Sequence, residues 1–310
     1  MSDAGALGFV DLGFVDLGFI GLGVMGEPMC ANLARKSNRP VAAFDLDPAP
    51  LARLAPHGVR ACASIAEVAA SADVIFLSLP SAAEVGAVCL GAAGIVAARG
   101  RTRAVVDMST GAVEATRRIA TALAAAGIEF VDAPVARTRA AAQAGTLLIM
   151  VGSSDAQFRA VEPLLACMGS DVVHCGPVGN GQVVKILNNM VLFMTGQALA
   201  EALVIGERAG VEGAQLFEAL TRGSADSFAL RNHGMKAMVP GLFPEKAFPT
   251  DYALKDIRLA LELAEGCGVE ARGARLTADL LRASSAAGFG ANYWPVLVKL
   301  IDRAGRAGSL

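Results

Sequence analysis

The feature that most constrains this chain is a glycine cluster set between an apolar run and a helical stretch. Phe19-Ile20 close the apolar run, and Gly21-Leu22-Gly23-Val24-Met25-Gly26 follow as G-x-G-x-x-G. Glu27 to about Arg35 reads as helix, and Val41-Ala-Ala-Phe44 reads as a second strand ending in Asp45. Strand, glycines, helix, strand and acid in that order select a parallel β-α-β unit, because each glycine has its own task. Gly21 permits the tight turn, Gly23 lets the backbone approach a pyrophosphate, and Gly26 lets the helix pack on the strand. The helix N-terminus then faces phosphate charge. The loop residues Gly21, Leu22, Gly23, Val24, Met25 and Gly26 are therefore candidate cofactor contacts. Asp45 follows Gly26 by 19 residues, where an acid accepts hydrogen bonds from an adenosine ribose. An acid there repels a 2′-phosphate, so the expected cofactor is NAD rather than NADP.

The same alternation continues. Val74-Ile-Phe-Leu-Ser-Leu79 is a continuous apolar run stopped by Pro80, as a strand buried on both faces requires. Ala104-Val-Val-Asp-Met108 ends at Ser109-Thr110-Gly111, with a helix from roughly Glu114 to Ala126. Glu129–Asp132, Thr146–Val151 and Val172-Val173 add strands, and Ser154-Asp155 caps a helix to about Met168. The pattern predicts an α/β fold, a Rossmann-type doubly wound, largely parallel sheet. Ligands in such sheets sit beyond the carboxyl ends of strands. That position is held by Leu79-Pro80, by Ser109-Thr110 and by the loop after Asp132.

From Gly179 the strand signal stops. Gly181 to Gly210 reads as one long helix, with shorter helices at about 213–222, 226–238, 251–267, 273–286 and 292–304. The expected organisation is a repeated N-terminal extension (1–16), a dinucleotide-binding domain (17–178) and an all-α C-terminal domain (179–310). At roughly 150 residues per domain, 310 residues suit two domains. The long helix carries Lys185, Asn188 and Asn189 at i, i+3 and i+4, which predicts one shared face. Val183, Val184, Ile186, Leu187, Met190, Val191 and Leu192 surround them, so the helix is expected to be buried. Burying a lysine and two amides is costly without partners. One reading is a satisfied structural cluster; the other is a cleft between domains with Lys185 as acid/base.

Charge and residue counts exclude other classes. With 27 basic and 29 acidic residues, net charge −2, electrostatics supply no reason to expect nucleic acid or an anionic membrane as partner. Cys30, Cys62, Cys89, Cys167, Cys175 and Cys267 form no C-x-x-C pair and read as reduced thiols. His57, His174 and His233 lack ligand spacing, so no metal site is expected. The N-terminus has no basic region leading into an uninterrupted apolar stretch, so no signal peptide is expected. The most apolar long segment, Ile186 to Ile205, contains Asn188, Asn189, Gln197 and Glu201, which lipid would disfavour. The expected location is the cytoplasm.

Residues 7–21 hold a five-residue repeat, Leu7-Gly-Phe-Val-Asp11, Leu12-Gly-Phe-Val-Asp16 and Leu17-Gly-Phe-Ile-Gly21. Period five builds neither a strand face nor a helix face. It reads as a tandem duplication of the first strand, with only the last copy entering a functional loop. The alternatives are a partner-binding tail, or extra copies that compete for the strand slot and disturb its register.

Four segments resemble the β-hydroxyacid dehydrogenase family, the 3-hydroxyisobutyrate dehydrogenase-like enzymes. They are Gly18-Phe-Ile-Gly-Leu-Gly-Val-Met-Gly26, Asp132-Ala-Pro-Val135 with Gly145-Thr-Leu147, Gly181-Gln-Val-Val-Lys-Ile-Leu-Asn-Asn189, and Leu254-Lys-Asp256. They occur in the family's order. The resemblance implies a Rossmann-type domain followed by an all-helical domain, a homodimer or homotetramer, and a small anionic hydroxyacid or semialdehyde as substrate. It implies Lys185 as the catalytic lysine, Asn189 and Asn188 as its substrate-side neighbours, and Leu79, Pro80, Ser109, Thr110 and Lys255 at the cofactor. Lys185 would take the hydroxyl proton as hydride leaves for NAD, or return it in reduction. Which direction operates is left open, as is the identity of the acid.

One departure concerns substrate choice. After Asp132-Ala-Pro-Val135 the family usually has Ser-Gly-Gly; here the run is Ala136-Arg137-Thr138-Arg139. Arg137 offers a rigid fork for a carboxylate, sulfonate or phosphonate, and Thr138 a hydroxyl. That loop resembles the one in sulfolactaldehyde reductase, although Leu192 and Phe193 stand where that enzyme has a polar contact. Arg139 is expected at the surface. Two further readings are a non-catalytic NAD(H)-binding regulatory protein and an imine-reducing relative. Lys185 argues against both, since a sensor needs no buried base and imine reducers usually lack the lysine.

Overall fold

The computed structural model describes residues 16–245 and 247–301. Two compact units are present, the first ending at Lys185 and the second starting at Ile186. In the first, β1 (Leu17–Ile20), α1 (Gly26–Lys36), β2 (Val41–Phe44), α2 (Pro48–Leu54), β3 (Val59–Ala61), α3 (Ile65–Ser71) and β4 (Val74–Leu77) follow in order. Then come α4 (Ala82–Leu90), α5 (Ile95–Ala98), β5 (Ala104–Asp107), α6 (Val113–Ala125) and β6 (Glu129–Asp132). The six strands form one parallel sheet in the order β3-β2-β1-β4-β5-β6. The order reverses between β1 and β4, and that switch point places the loops after β1, β4 and β5 side by side at one sheet edge.

Every residue of β1, β4 and β5 is buried. One face packs Leu17, Phe19, Val74, Phe76 and Val106 against α1; the other packs Ile20, Ile75, Leu77 and Val105 under α3, α4 and α6. Burial on both faces explains why these strands read as continuous apolar runs. Gly18 lies where a Cβ would stand 2.7 Å from Val68 of α3, so helix and strand meet closely there.

The repeat explains its own register. Residues 1–15, and with them the first two copies and most of the predicted extension 1–16, lie outside the described residues; the third copy forms β1. Each copy offers the Leu-Gly-Phe-Val/Ile that the slot needs, so the strand itself does not discriminate. The next residue does. Gly21 has φ +92°, and a Cβ there would lie 2.3 Å from the Ser78 carbonyl oxygen. The aspartates that follow the other two copies cannot take that position.

The single sheet expected from the alternation is two sheets. After β6 come β7 (Val135–Ala136), α7 (Arg139–Ala144), β8 (Leu147–Val151), α8 (Asp155–Leu165) and β9 (Gly169–His174). β7, β8 and β9 form a separate three-stranded sheet, with β7 antiparallel to β8 and β8 parallel to β9. The reading missed β3 and β7, which are three and two residues long, and stopped β9 short because Gly169-Ser-Asp is polar. β4 ends at Leu77 rather than Leu79: Ser78 and Leu79 turn away, and the Leu79 N–H donates to Ser109 Oγ at 2.9 Å.

α9 (Asn180–Arg208) runs from the first unit into the second. The sequence boundary at 178/179 marks where strands stop; the division of compact units falls at 185/186, because the first turns of α9 are hydrogen-bonded to β6. α9 is the one helix among the described residues long and apolar enough to cross a membrane. It is not buried all round as expected: Val184, Leu187, Val191 and Ile205 are exposed, and so is Asn188. Lys185 and Asn189 alone of the polar trio are buried, since i and i+4 share a face more closely than i and i+3 in this setting.

The second unit continues with α10 (Gly213–Leu220), α11 (Thr250–Gly266) and α12 (Arg272–Ser284). The helix expected at 226–238 is a π-helix over Leu230–Met238, and the one expected at 292–304 opens with a 3₁₀ turn, Trp294–Leu297. Phe193, Leu203, Phe217, Leu230, Ile257, Leu281 and Trp294 form this unit's core. The Trp294 ring reaches the α9 backbone at Gly196, where a Cβ would lie 2.3 Å from it.

Gly21 and Gly23 separate folding from binding. Gly21→Ala should lose about 2 kcal/mol of stability in urea denaturation, because its φ and its neighbour both exclude a side chain. Nothing lies within 4 Å of a Cβ at Gly23. Gly23→Ala should fold with stability within about 0.5 kcal/mol of the parent and bind NADH at least about tenfold more weakly in a fluorescence titration.

Candidate active site

The glycine loop leaves β1 at Gly21, turns through Leu22 and Gly23, and enters α1 at Gly26, whose Cβ position is filled by the Gly21 carbonyl at 2.0 Å. The turn is thus closed on itself. No side chain caps α1; the Glu27 N–H donates to the Gly23 carbonyl at 3.1 Å, Pro28 has no N–H, and Gly23 itself is exposed. Asp45, at the end of β2, accepts hydrogen bonds from the Leu22 N–H and, at 2.8 Å, from the Asp47 N–H. Its carboxylate therefore sits against the glycine loop and braces it. A glycine turn with an exposed Gly23, a helix start without a side-chain cap and an acid at the end of the next strand together fit a dinucleotide.

The neighbouring strand ends are tied together. Asp107, at the end of β5, accepts the Ser109 N–H at 2.9 Å. Ser109, expected at the cofactor, is buried, and its hydroxyl accepts the Leu79 N–H. It fastens the loop after β5 to the loop after β4. Thr110, next to Ser109 in the chain, is half-buried, and Pro80, next to Leu79, is exposed.

β6 ends at Asp132, which is fully buried and is the register partner of Asp107. Its carboxylate accepts the Gly179 N–H at 2.6 Å and the Gln182 N–H at 2.9 Å. These are the donors at the start of α9, so Asp132 caps the helix that carries Lys185. Gly152 and Gly181 make room for it: a Cβ would lie 2.3 Å and 2.7 Å from its oxygens. Burial pushes the Asp132 carboxyl up to about 6 against the two backbone donors. Burial also pushes Asp107 up to about 7, helped by the charge of Asp132. Gln182, to which the sequence reading gave no role, bridges to the β5 loop: its amide donates to the Ser109 carbonyl at 2.8 Å and accepts the Gly111 N–H at 3.1 Å. No sequence signal separates this glutamine from an ordinary buried one.

Lys185 is buried near the end of the first unit. One turn further on α9 is Asn189, 2% exposed, whose amide donates to Asp256 of α11 at 2.8 Å and accepts from Asn188 at 3.1 Å. Lys255 lies 3.2 Å from the other Asp256 oxygen and 5.4 Å from the Tyr252 ring centre. Asp256 thus orients Asn189 and holds Lys255.

The expected substrate loop is arranged differently. Arg137 does not present an open fork. Its guanidinium pairs with Asp171 at 2.7 Å and donates to the Thr146 carbonyl at 2.7 Å and Ser170 Oγ at 2.9 Å. Its φ is +87°, a conformation that favours glycine, and these bonds offset that strain. The Thr138 hydroxyl accepts the Ala141 N–H and caps α7. Arg139 is exposed.

Comparison with known proteins gives two adjoining family matches. Residues 16–176 match the NAD binding domain of 6-phosphogluconate dehydrogenase, and residues 179–300 match the NAD-binding domain of NADP-dependent 3-hydroxyisobutyrate dehydrogenase. The chain is 37% identical to 2-(hydroxymethyl)glutarate dehydrogenase of Eubacterium barkeri, over 90% of this chain and 92% of that one. It is 36% identical to 3-hydroxyisobutyrate dehydrogenase of Pseudomonas aeruginosa, over 78% and 82%. Among solved structures it resembles Mycobacterium tuberculosis 3-hydroxyisobutyrate dehydrogenase with L-serine, at TM-score 0.83 and 30% identity, covering 93% of this chain and 99% of that one.

The raised carboxyl groups make stability fall with pH. Unfolded aspartates ionise near 3.9, so between about pH 4 and 7 the folded chain binds more protons than the unfolded one. The contribution of these two carboxyls therefore declines through that window and is level above it. It runs against that of His233, whose imidazole burial holds down to about 4 and whose contribution rises over the same range. Asp107→Asn should gain on the order of 1 kcal/mol over the parent at pH 8 and nothing at pH 4, read by urea denaturation at both values.

Proposed function

This chain belongs to the β-hydroxyacid dehydrogenase family, and we propose that it oxidises a 2-substituted 3-hydroxypropanoate, or reduces the matching semialdehyde, with NAD(H). The observation that carries this reading is a buried Lys185 on a helix whose first turn is capped by Asp132 at the cofactor sheet. Chemistry common to the relatives supports the substrate class. 3-Hydroxyisobutyrate and 2-(hydroxymethyl)glutarate, from which two relatives take their names, both carry a primary alcohol one carbon removed from the carbon bearing a carboxylate.

In this reading Gly21, Leu22, Gly23, Val24, Met25 and Gly26 hold the pyrophosphate. Asp45 takes the adenosine ribose and sets the preference for NAD over NADP. Leu79, Pro80, Thr110 and Lys255 line the rest of the cofactor site, with Ser109 bracing them. When bound, NAD accepts a hydride from the carbon that bears the hydroxyl. Lys185 Nζ removes the hydroxyl proton; in reduction its ammonium donates that proton and stabilises the forming alkoxide. Asn189, held by Asp256, aligns the hydroxyl, and Asn188 steadies Asn189. The substrate carboxylate is taken by backbone N–H groups of the 136–138 loop rather than by the Arg137 guanidinium, which is already engaged. For the same reason we rank a sulfolactaldehyde reductase behind a carboxylate enzyme. We place the protein in the cytoplasm as a homodimer or homotetramer; six free thiols and the exposed apolar side chains of α9 support that reading.

Lys185→Ala should lower kcat at least about 1000-fold while the NADH dissociation constant moves less than about threefold. A variant that turns over at near-normal rate would sink the mechanism. Asp45→Ala should reduce the NAD-to-NADP ratio of kcat/KM about tenfold, and an unchanged ratio would remove that acid from the site. A spectrophotometric screen of 3-hydroxyisobutyrate, 2-(hydroxymethyl)glutarate, glycerate, serine, 4-hydroxybutyrate and sulfolactate, with the semialdehydes for reduction, tests the class. Turnover confined to the sulfonate would overturn it.

A further inference from the structure

Gln182 is fully buried, three residues before Lys185 on α9, and the chemistry above gives it no task. It is tied at both main chain and side chain. Its N–H is held by Asp132 at the end of β6. Its side-chain amide makes two bonds of opposite sense to the loop after β5, donating to the Ser109 carbonyl and accepting from Gly111 N–H. That loop is fastened in turn to Asp107 by the Ser109 N–H and to the end of β4 by Ser109 Oγ. A continuous set of hydrogen bonds therefore runs from the proposed cofactor loops to the helix that carries the lysine.

We infer that Gln182 is a positioning residue for the reaction: its amide clamp on Ser109 and Gly111 sets where Lys185 stands relative to the cofactor loops. This rests on the reading of Lys185 as the acid/base. The residue type follows from the geometry. A donor must meet the Ser109 carbonyl while an acceptor meets the Gly111 N–H, and a side-chain amide supplies both from adjacent atoms at its tip. Asparagine is one methylene short. Methionine has the length and makes neither bond, leaving a buried carbonyl and a buried N–H unpaired. Ionised glutamate would set an acceptor against the Ser109 carbonyl and add a third carboxylate beside Asp107 and Asp132. A displacement of about 1 Å at a reacting group costs on the order of 100-fold in rate, so a clamp of this kind acts on kcat before it acts on binding.

The test uses the full chain, with 3-hydroxyisobutyrate as probe, and compares Gln182→Met, Gln182→Glu, Lys185→Ala and the Gln182→Met/Lys185→Ala double variant. Gln182→Met should lower kcat about 10- to 100-fold with the NADH dissociation constant within about threefold. In the cofactor-free protein, hydrogen exchange at residues 109–113 should quicken about tenfold or more while residues 18–27 stay unchanged. In the Lys185→Ala background the same change should cost no further rate. Gln182→Glu supplies a rescue: once protonated, its acid group again offers a donor and an acceptor. Around it lie Asp107 from β5, Asp132 from β6, Arg117 from α6 near Gly179, and Lys185 on its own helix. The ratio of its kcat to the parent's should therefore climb as pH falls.

A Gln182→Met variant with kcat within twofold of the parent overturns the inference. So does a loss of rate matched by an equal loss of NADH-binding sites, which marks a role in folding alone. If the methionine variant does not fold, a Gln182→Glu ratio that stays flat with pH overturns it equally. Turnover in the Lys185→Ala single variant would instead unseat the acid/base reading, and it is read independently of any change at Gln182.

Discussion

The Asp132 carboxylate, accepting the Gly179 and Gln182 N–H groups, is the contact on which the arrangement of this chain depends. A parallel sheet delivers loops to its carboxyl edge but does not say where a helix later in the chain, such as α9, begins. Asp132 decides that. It stops β6, fills the space left by Gly152 and Gly181, and fixes the first turn of α9. Because the carboxylate is buried, it is held at a cost that its two short backbone bonds offset, and the position admits no larger neighbour. Asp107, its register partner one strand over, does the same for the loop after β5. Two acids at adjacent strand ends, each turned onto backbone donors, thus order the loop at Ser109–Gly111 and the helix that bears Lys185.

The glycine loop follows a related logic with backbone in place of side chains. Gly21 and Gly26 are glycines because their Cβ positions are occupied by carbonyl oxygens; Gly23 is a glycine with empty space before it. The first two shape the protein and the third leaves room for something that is not protein. Asp45 braces the same loop through Leu22, so the acid proposed to meet a ribose also holds the glycine turn in shape.

Much of this was legible beforehand. The β1–β2 unit, the later central strands and the long helix all follow from runs of apolar residues long enough to override noise, and Lys185 stands out because a charge inside an apolar helix needs a reason. The elements missed were short. β3 and β7 have three and two residues, less than a period-two pattern needs to be seen. The π-helix at Leu230–Met238 carries an ordinary helical pattern, and its contacts, such as His233 on Tyr293 and Trp294, lie some sixty residues away in the chain. Arg137 looked like an anion fork because sequence shows a guanidinium but not its neighbours, Asp171 and Ser170, which are more than thirty residues away.

The sequence by itself determined the local chemistry: a dinucleotide loop, an acid at the second strand, an alternating sheet and a lysine–asparagine pair one helical turn apart. These depend on spacing along the chain, and spacing is what a sequence records. The sequence also marked the third repeat copy as the one that enters the loop, since that copy ends in glycine; the tertiary structure supplied the reason, the Ser78 carbonyl facing position 21. The tertiary structure alone divided the strands between two sheets, paired the exposed Arg137 with Asp171, and set Gln182 between Asp132 and the loop after β5. Each of those outcomes depends on a partner brought close by folding, and the identity of such a partner cannot be read from the residues on either side.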